Sequence, residues 1–93
     1  MRGDKTEYSG IVFRSQLEAE WASYFDEQGL KWEYEPVMFH SGAARYTPDF
    51  GLDQRSVFVE VKPANGVPNR NIHLCYEMDV LLLVWGRPSK SEI

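Results

Sequence analysis

The stretch from Tyr46 to Lys62 constrains this chain more than any other, because it alternates apolar and polar residues in two short runs with a turn between them. In the second run Val57, Val59 and Val61 alternate with Phe58, Glu60 and Lys62. Side chains two apart share a face of a strand, so Glu60 and Lys62 point the same way. In the first run Tyr46, Pro48, Phe50 and Leu52 alternate with Arg45, Thr47 and Asp49, which puts Asp49 on the polar side of a ribbon whose other side is apolar. Gly51 to Gln54 supplies turn residues, and the two runs are expected to pair as a hairpin with Asp49 alongside Glu60. Two carboxylates beside a lysine suit a hard divalent cation, since Mg²⁺ takes oxygen ligands and is usually held by one or two carboxylates plus water. The plain alternative is a surface cluster of ion pairs worth about 0 to 1 kcal/mol.

Along the chain, residues 1–9 and 89–93 are expected to fray, with Tyr8 and Val12 the first to touch a core. Ser15 is a good helix N-cap, and Glu18 completes a capping-box pattern ahead of Leu17, Trp21, Tyr24 and Phe25. Gly29 ends that helix. Glu18 lies at the edge of the apolar stripe toward Ala22 and Phe25, and Glu20 at the opposite edge. Lys31 to Glu35 reads as a half-buried strand stopped by Pro36, and Val37 to Ala44 as a loop. Pro63 to Asn69 is too rich in turn residues for regular structure, after which Asn69 caps a short helix through about Tyr76. Val80 to Val84 is continuously apolar and is expected to be the central spine, beside Val57 to Lys62.

Pro48-Asp49, ten residues, then Glu60-Val61-Lys62 resembles the signature of the PD-(D/E)xK nuclease superfamily. The segments Phe13 to Ala22 and Lys31 to Pro36 are similar to the start of one branch of it, the small endonuclease-like domains of phages and bacteria. The resemblance covers about residues 10 to 62 and fades afterwards. Glu-x-Lys alone is ordinary on a solvated strand, and Pro-Asp alone is a turn signal. Their order behind a capped helix carries the weight.

The resemblance implies an α/β fold: a minimal restriction-endonuclease-like core, with an N-terminal helix on a mixed sheet of about four strands, ordered α-β-β-β-short α-β. It implies a Mg²⁺- or Mn²⁺-dependent DNA endonuclease acting on branched, nicked or single-stranded DNA in recombination, repair or phage genome processing. Asp49, Glu60 and the main-chain carbonyl of Val61 would hold the ion. Lys62 would orient or help deprotonate the attacking water, and Glu18 would complete the ligand set or hold a second ion. Arg14, Arg45, Arg55 and Arg70 are the expected DNA contacts, and no nucleotide cofactor is implied.

Ninety-three residues make one domain, with a thin core. No apolar run approaches the roughly eighteen residues of a membrane span, and no secretory signal follows Met1-Arg2-Gly3-Asp4-Lys5. Cys75 stands alone, which fits the reducing cytoplasm of a bacterial or phage-infected cell. His73-x-Cys75 lacks a second pair of zinc ligands. A net charge of −4 argues against tight unaided binding to duplex DNA. It keeps open a protein on the same fold with idle machinery, such as a phage-encoded modulator of a host protein. A homodimer is a further expectation, with Trp32, Tyr34, Phe39 and Trp85 as exposed interface aromatics.

Overall fold

The computed structural model of the chain describes residues 5–89; the expected frayed ends at 1–4 and 90–93 lie outside them. Residues expected to fray or to loop instead build two extra hairpins. Strand β1 (Thr6–Tyr8) pairs antiparallel with β2 (Ile11–Phe13). Their turn, Ser9-Gly10, has φ of 55° and 81°, the positive values a tight primed hairpin turn needs at both central positions. The register Tyr8↔Ile11 sends Val12 outward, 60% exposed, while Phe13 is fully buried. Ile11, not Val12, therefore joins Tyr8 against the core.

Helix α1 (Gln16–Glu27) follows, and the Ser15 hydroxyl accepts the Glu18 N–H at 3.2 Å. At its other end Gly29 takes φ 74°, the Leu30 N–H reaches the Phe25 carbonyl at 2.9 Å and the Gly29 N–H reaches Asp26 at 3.0 Å. That is a Schellman ending. The face turned to the sheet is Glu18, Ala19, Ala22 and Phe25, with Leu17, Trp21 and Tyr24 half-buried on its flanks. The alanines let the helix lie close, and the bulky side chains spread to either side.

The central sheet holds β3 (Trp32–Tyr34), β6 (Phe50–Leu52), β7 (Val57–Lys62) and β8 (Leu81–Trp85) in the order β3-β6-β7-β8. β7 and β8 run parallel and the other neighbours antiparallel, so the chain is a small mixed α/β domain with a mixed four-stranded sheet and two helices. The expected single strand from Tyr46 to Leu52 is divided. Its first part closes the second extra hairpin, β4 (Phe39–Ser41) with β5 (Ala44–Tyr46), around Gly42 at φ 59°. Pro48, which has no N–H to give a ladder, stands in the break.

Gly51 is not a turn residue: it lies in β6 opposite Phe58, and the reversal is made by Asp53, Gln54 and Arg55, all at positive φ. β8 is a sheet edge rather than the spine, because among the described residues no strand follows it, and Leu82 and Trp85 remain 49% and 45% exposed. β7 takes the central place. Helix α2 is the single turn His73–Tyr76, and Asn69 Oδ1 accepts the Asn71 N–H at 2.7 Å in a local turn instead of capping a longer helix. Of the four aromatics expected at a dimer interface, Trp85 alone is largely exposed. Trp32 and Tyr34 pack on Phe13 and Phe50, and Phe39 meets Phe58 edge to face.

Period-two alternation along β7 divides the core. Val59 and Val61 face α1, and Phe58 faces a second cluster with Tyr46 and Cys75 beneath the β4–β5 hairpin and α2. A Cβ on Gly51 would lie 3.0 Å from Pro36 Cγ and 3.5 Å from the Phe58 ring. Gly51→Ala is therefore expected to cost about 1 to 3 kcal/mol, seen as a lower urea midpoint at unchanged m-value; an unshifted midpoint would show that Pro36 gives way freely.

Candidate active site

The acids meet where β6 and β7 stop pairing. Phe50 opposes Val59, and the same register carried one residue further sets Asp49 against Glu60, just past the last paired residue of β6. Asp49 is 4% exposed, and its Oδ2 accepts the Val61 N–H at 2.7 Å. Its Oδ1 accepts from the Arg14 guanidinium at 2.8 Å. Glu60, equally buried, accepts the Tyr46 hydroxyl at 2.6 Å on Oε1 and faces Lys62 Nζ at 3.1 Å on Oε2.

Glu18 arrives from α1. Its N–H is capped by Ser15, but its carboxylate does not reach back to close the capping box: Oε1 accepts the Tyr34 hydroxyl at 2.7 Å and Oε2 faces Arg14 at 3.3 Å. Glu35 holds Arg14 Nε at 2.9 Å. Arg14, Glu18, Tyr46, Asp49, Glu60, Val61 and Lys62 line one cleft of about 240 Å³. Glu20 stays on the other flank of the helix, beside Arg87.

Burial pushes the Asp49 carboxyl up to about 7, with the charges of Glu60 and Glu18 adding to it and the Val61 N–H and Arg14 opposing it. Burial and the Glu60 carboxylate push the Tyr46 hydroxyl far above its ordinary range, and burial takes Tyr34 up to about 12, so both stay donors. Against the opposing effect of burial, the Tyr34 hydroxyl and the charges of Glu18 and Asp49 hold the Arg14 guanidinium above its usual value.

Of the expected DNA contacts, Arg14 is turned into the acids, and Arg55 is paired with Glu33 at 2.9 Å, outside the cleft lining. Arg45 and Arg70 are exposed and have no ion pair among the described residues. Asn71 Nδ2 donates to the Arg45 carbonyl at 3.1 Å, tying the β4–β5 hairpin to the segment that carries Arg70. Sequence alternation treated Tyr34 and Tyr46 as apolar strand residues and passed over Glu35. The available signal was that a buried tyrosine hydroxyl needs a partner.

Among the described residues no three Asp, Glu, His or Cys side chains gather closely enough to enclose an ion. The carboxylates lining the cleft beside Val61 are Asp49 and Glu60, with Glu18 across from them, and two carboxylates are a donor set of the kind Mg²⁺ uses together with several waters. Cys75 is fully buried, and burial followed by Asp79 pushes its thiol up to about 11, which makes it a poor ligand. No helix among the described residues is long and apolar enough to cross a membrane. Compared with known proteins, the chain matches no family model, no curated sequence and no solved structure.

The folded-state pKa of Asp49 lies above its ordinary value of 3.8. The stability this group contributes is therefore full below about pH 4 and is lost as pH rises through about 7. In EDTA, the melting temperature of the native protein relative to Asp49→Asn should fall between about pH 5 and about pH 8. A difference that stays flat or rises over that window contradicts the sign.

Proposed function

We propose that the chain is a divalent-metal-dependent DNA endonuclease built on a minimal restriction-endonuclease-like core and working in the cytoplasm of a bacterial or phage-infected cell. Its substrates would be branched, nicked or single-stranded DNA. The observation that supports this is the convergence of Glu18, Asp49, Glu60 and Lys62, drawn from a helix, a strand entry and a strand end, on one cleft. A surface salt-bridge cluster does not ordinarily bury two of its acids to 4% exposure.

Asp49, Glu60 and the Val61 carbonyl would hold Mg²⁺ or Mn²⁺. When bound, such an ion supplies Lewis acidity toward a phosphate oxygen and lowers the pKa of a water. Tyr46 fixes the Glu60 carboxylate from the protein side through its 2.6 Å bond. Lys62 Nζ, already at the cleft wall, is the group to orient the water or to offset charge on the phosphate. Glu18 takes part through Arg14 and Tyr34, both of which it holds. Arg45 and Arg70, exposed and without acid partners among the described residues, are the DNA-phosphate contacts.

A protein on the same fold with idle machinery is favoured instead by the net charge of −4. Calorimetric titration with Mn²⁺ separates the two, because an idle site shows no binding that depends on Asp49.

Incubation with supercoiled plasmid, a four-way junction and single strands in Mg²⁺ or Mn²⁺ should give cleavage that EDTA abolishes. Asp49→Ala and Lys62→Ala should each reduce it at least about 100-fold; cleavage that survives Asp49→Ala removes the site. Arg45→Ala and Arg70→Ala should weaken binding alike on all sequences and each lower the salt slope by about 1. Unchanged salt slopes would place the DNA elsewhere.

A further inference from the structure

The two central acids are held in the same two-part way. One oxygen of each takes a bond from a fixed neutral donor, the Val61 N–H on Asp49 Oδ2 at 2.7 Å and the Tyr46 hydroxyl on Glu60 Oε1 at 2.6 Å. The other oxygen faces a side-chain cation, Arg14 at 2.8 Å from Asp49 Oδ1 and Lys62 at 3.1 Å from Glu60 Oε2. The neutral halves belong to β7 and to a buried tyrosine. The cationic halves are long side chains, and Arg14 is the more exposed of the two, with 61% of its side chain exposed against 23% for Lys62.

Resting on the metal-dependent function above, we propose that Arg14 is the resident counter-ion of the cleft, and that it gives up Asp49 Oδ1 when a divalent cation enters. Oδ2 is committed to the main chain, so Oδ1 is the oxygen Asp49 has to offer. A guanidinium and a divalent ion on one carboxylate oxygen repel each other strongly at contact distance in a partly buried site. Arg14 has somewhere to remain: its Nε is held by Glu35 at 2.9 Å and contacts the Tyr34 hydroxyl at 3.2 Å. Letting go of Asp49 therefore frees only the terminal nitrogen, and the side chain stays tethered at the rim. That nitrogen keeps Glu18 Oε2 at 3.3 Å, and the N–H released from Asp49 becomes available to a phosphate oxygen. Arg14 is thus a positioning residue that keeps the acids neutralised in the resting protein and changes partner on loading.

The test is metal binding, not turnover. Mn²⁺ is titrated calorimetrically into the native protein, Arg14→Gln and Asp49→Asn. In parallel, the arginine side-chain ¹⁵N signals of the native protein are followed as Mg²⁺ is added. Arg14→Gln should bind Mn²⁺ about 10-fold more tightly, the scale of losing one charge-assisted competitor. The Arg14 signals should shift with Mg²⁺ in the native protein. Equal or weaker Mn²⁺ binding by Arg14→Gln, while the native protein binds at a site lost in Asp49→Asn, overturns the counter-ion role and leaves the metal site standing. Absence of Asp49-dependent binding in both native and Arg14→Gln overturns the metal site itself. Should Arg14→Gln not fold, Arg14 signals unmoved at saturating Mg²⁺ overturn the proposal.

Discussion

The bond from the Val61 N–H to Asp49 Oδ2 is what the rest of the molecule is arranged to permit. Past Phe50 the ladder between β6 and β7 ends. A carboxylate then takes over the role of a backbone acceptor, so a charged side chain is drawn inside at a strand terminus. Burying that charge is costly unless it is paired and hydrogen-bonded. Arg14 supplies the pairing from the far side of the cleft, and it can do so because β2 hands the chain to α1 at that point, with Phe13 anchored in the core on one side and Ser15 capping the helix on the other.

Each face of the sheet reaches the acids through a tyrosine. On the side covered by α1, Tyr34 stands on β3 against Phe13 and Phe50 and gives its hydroxyl to Glu18. On the opposite side, Tyr46 closes the β4–β5 hairpin, packs with Phe58 and Cys75, and gives its hydroxyl to Glu60. Both rings are part of a core cluster while their oxygens are part of the cleft. Packing and chemistry are thereby coupled through rigid groups, which is the condition for carboxylates to be held in one orientation.

Local patterns were legible in the residues, as was the pairing of β7 with β6 and with β8; most other long-range contacts were not. The alternation from Val57 to Lys62, the Ser15 cap and the Gly29 stop each depend on neighbours a few positions away, and each is found as read. The hairpins at Thr6–Phe13 and Phe39–Tyr46 rest on short turns with weak apolar patterning, so they passed for frayed or looping chain. Leu81 to Trp85 misled in the opposite sense: continuous apolar character suggested burial on two sides, but whether a strand has two neighbours is a property of the whole sheet. At the cleft, the three residues marked by strand alternation and the helix glutamate do come together. Arg14 is expected on DNA and Tyr34 at a dimer interface, and Glu35 has no expected role; that all three hold the acids or one another is visible only through tertiary contact.

The return from Lys62 to Leu81 crosses to a parallel neighbour with a single helical turn along the way. Most of that crossover is irregular, so the pairing of the outermost strand must overcome the entropy of closing a long loop. Its outer side has no neighbour among the described residues. Its inner side is joined to β7 from Phe58 to Lys62, so Glu60 stands opposite Leu83 across one seam and, by register, beside Asp49 across the other. The acid at the centre of the cleft thus rides on a strand gripped from both sides.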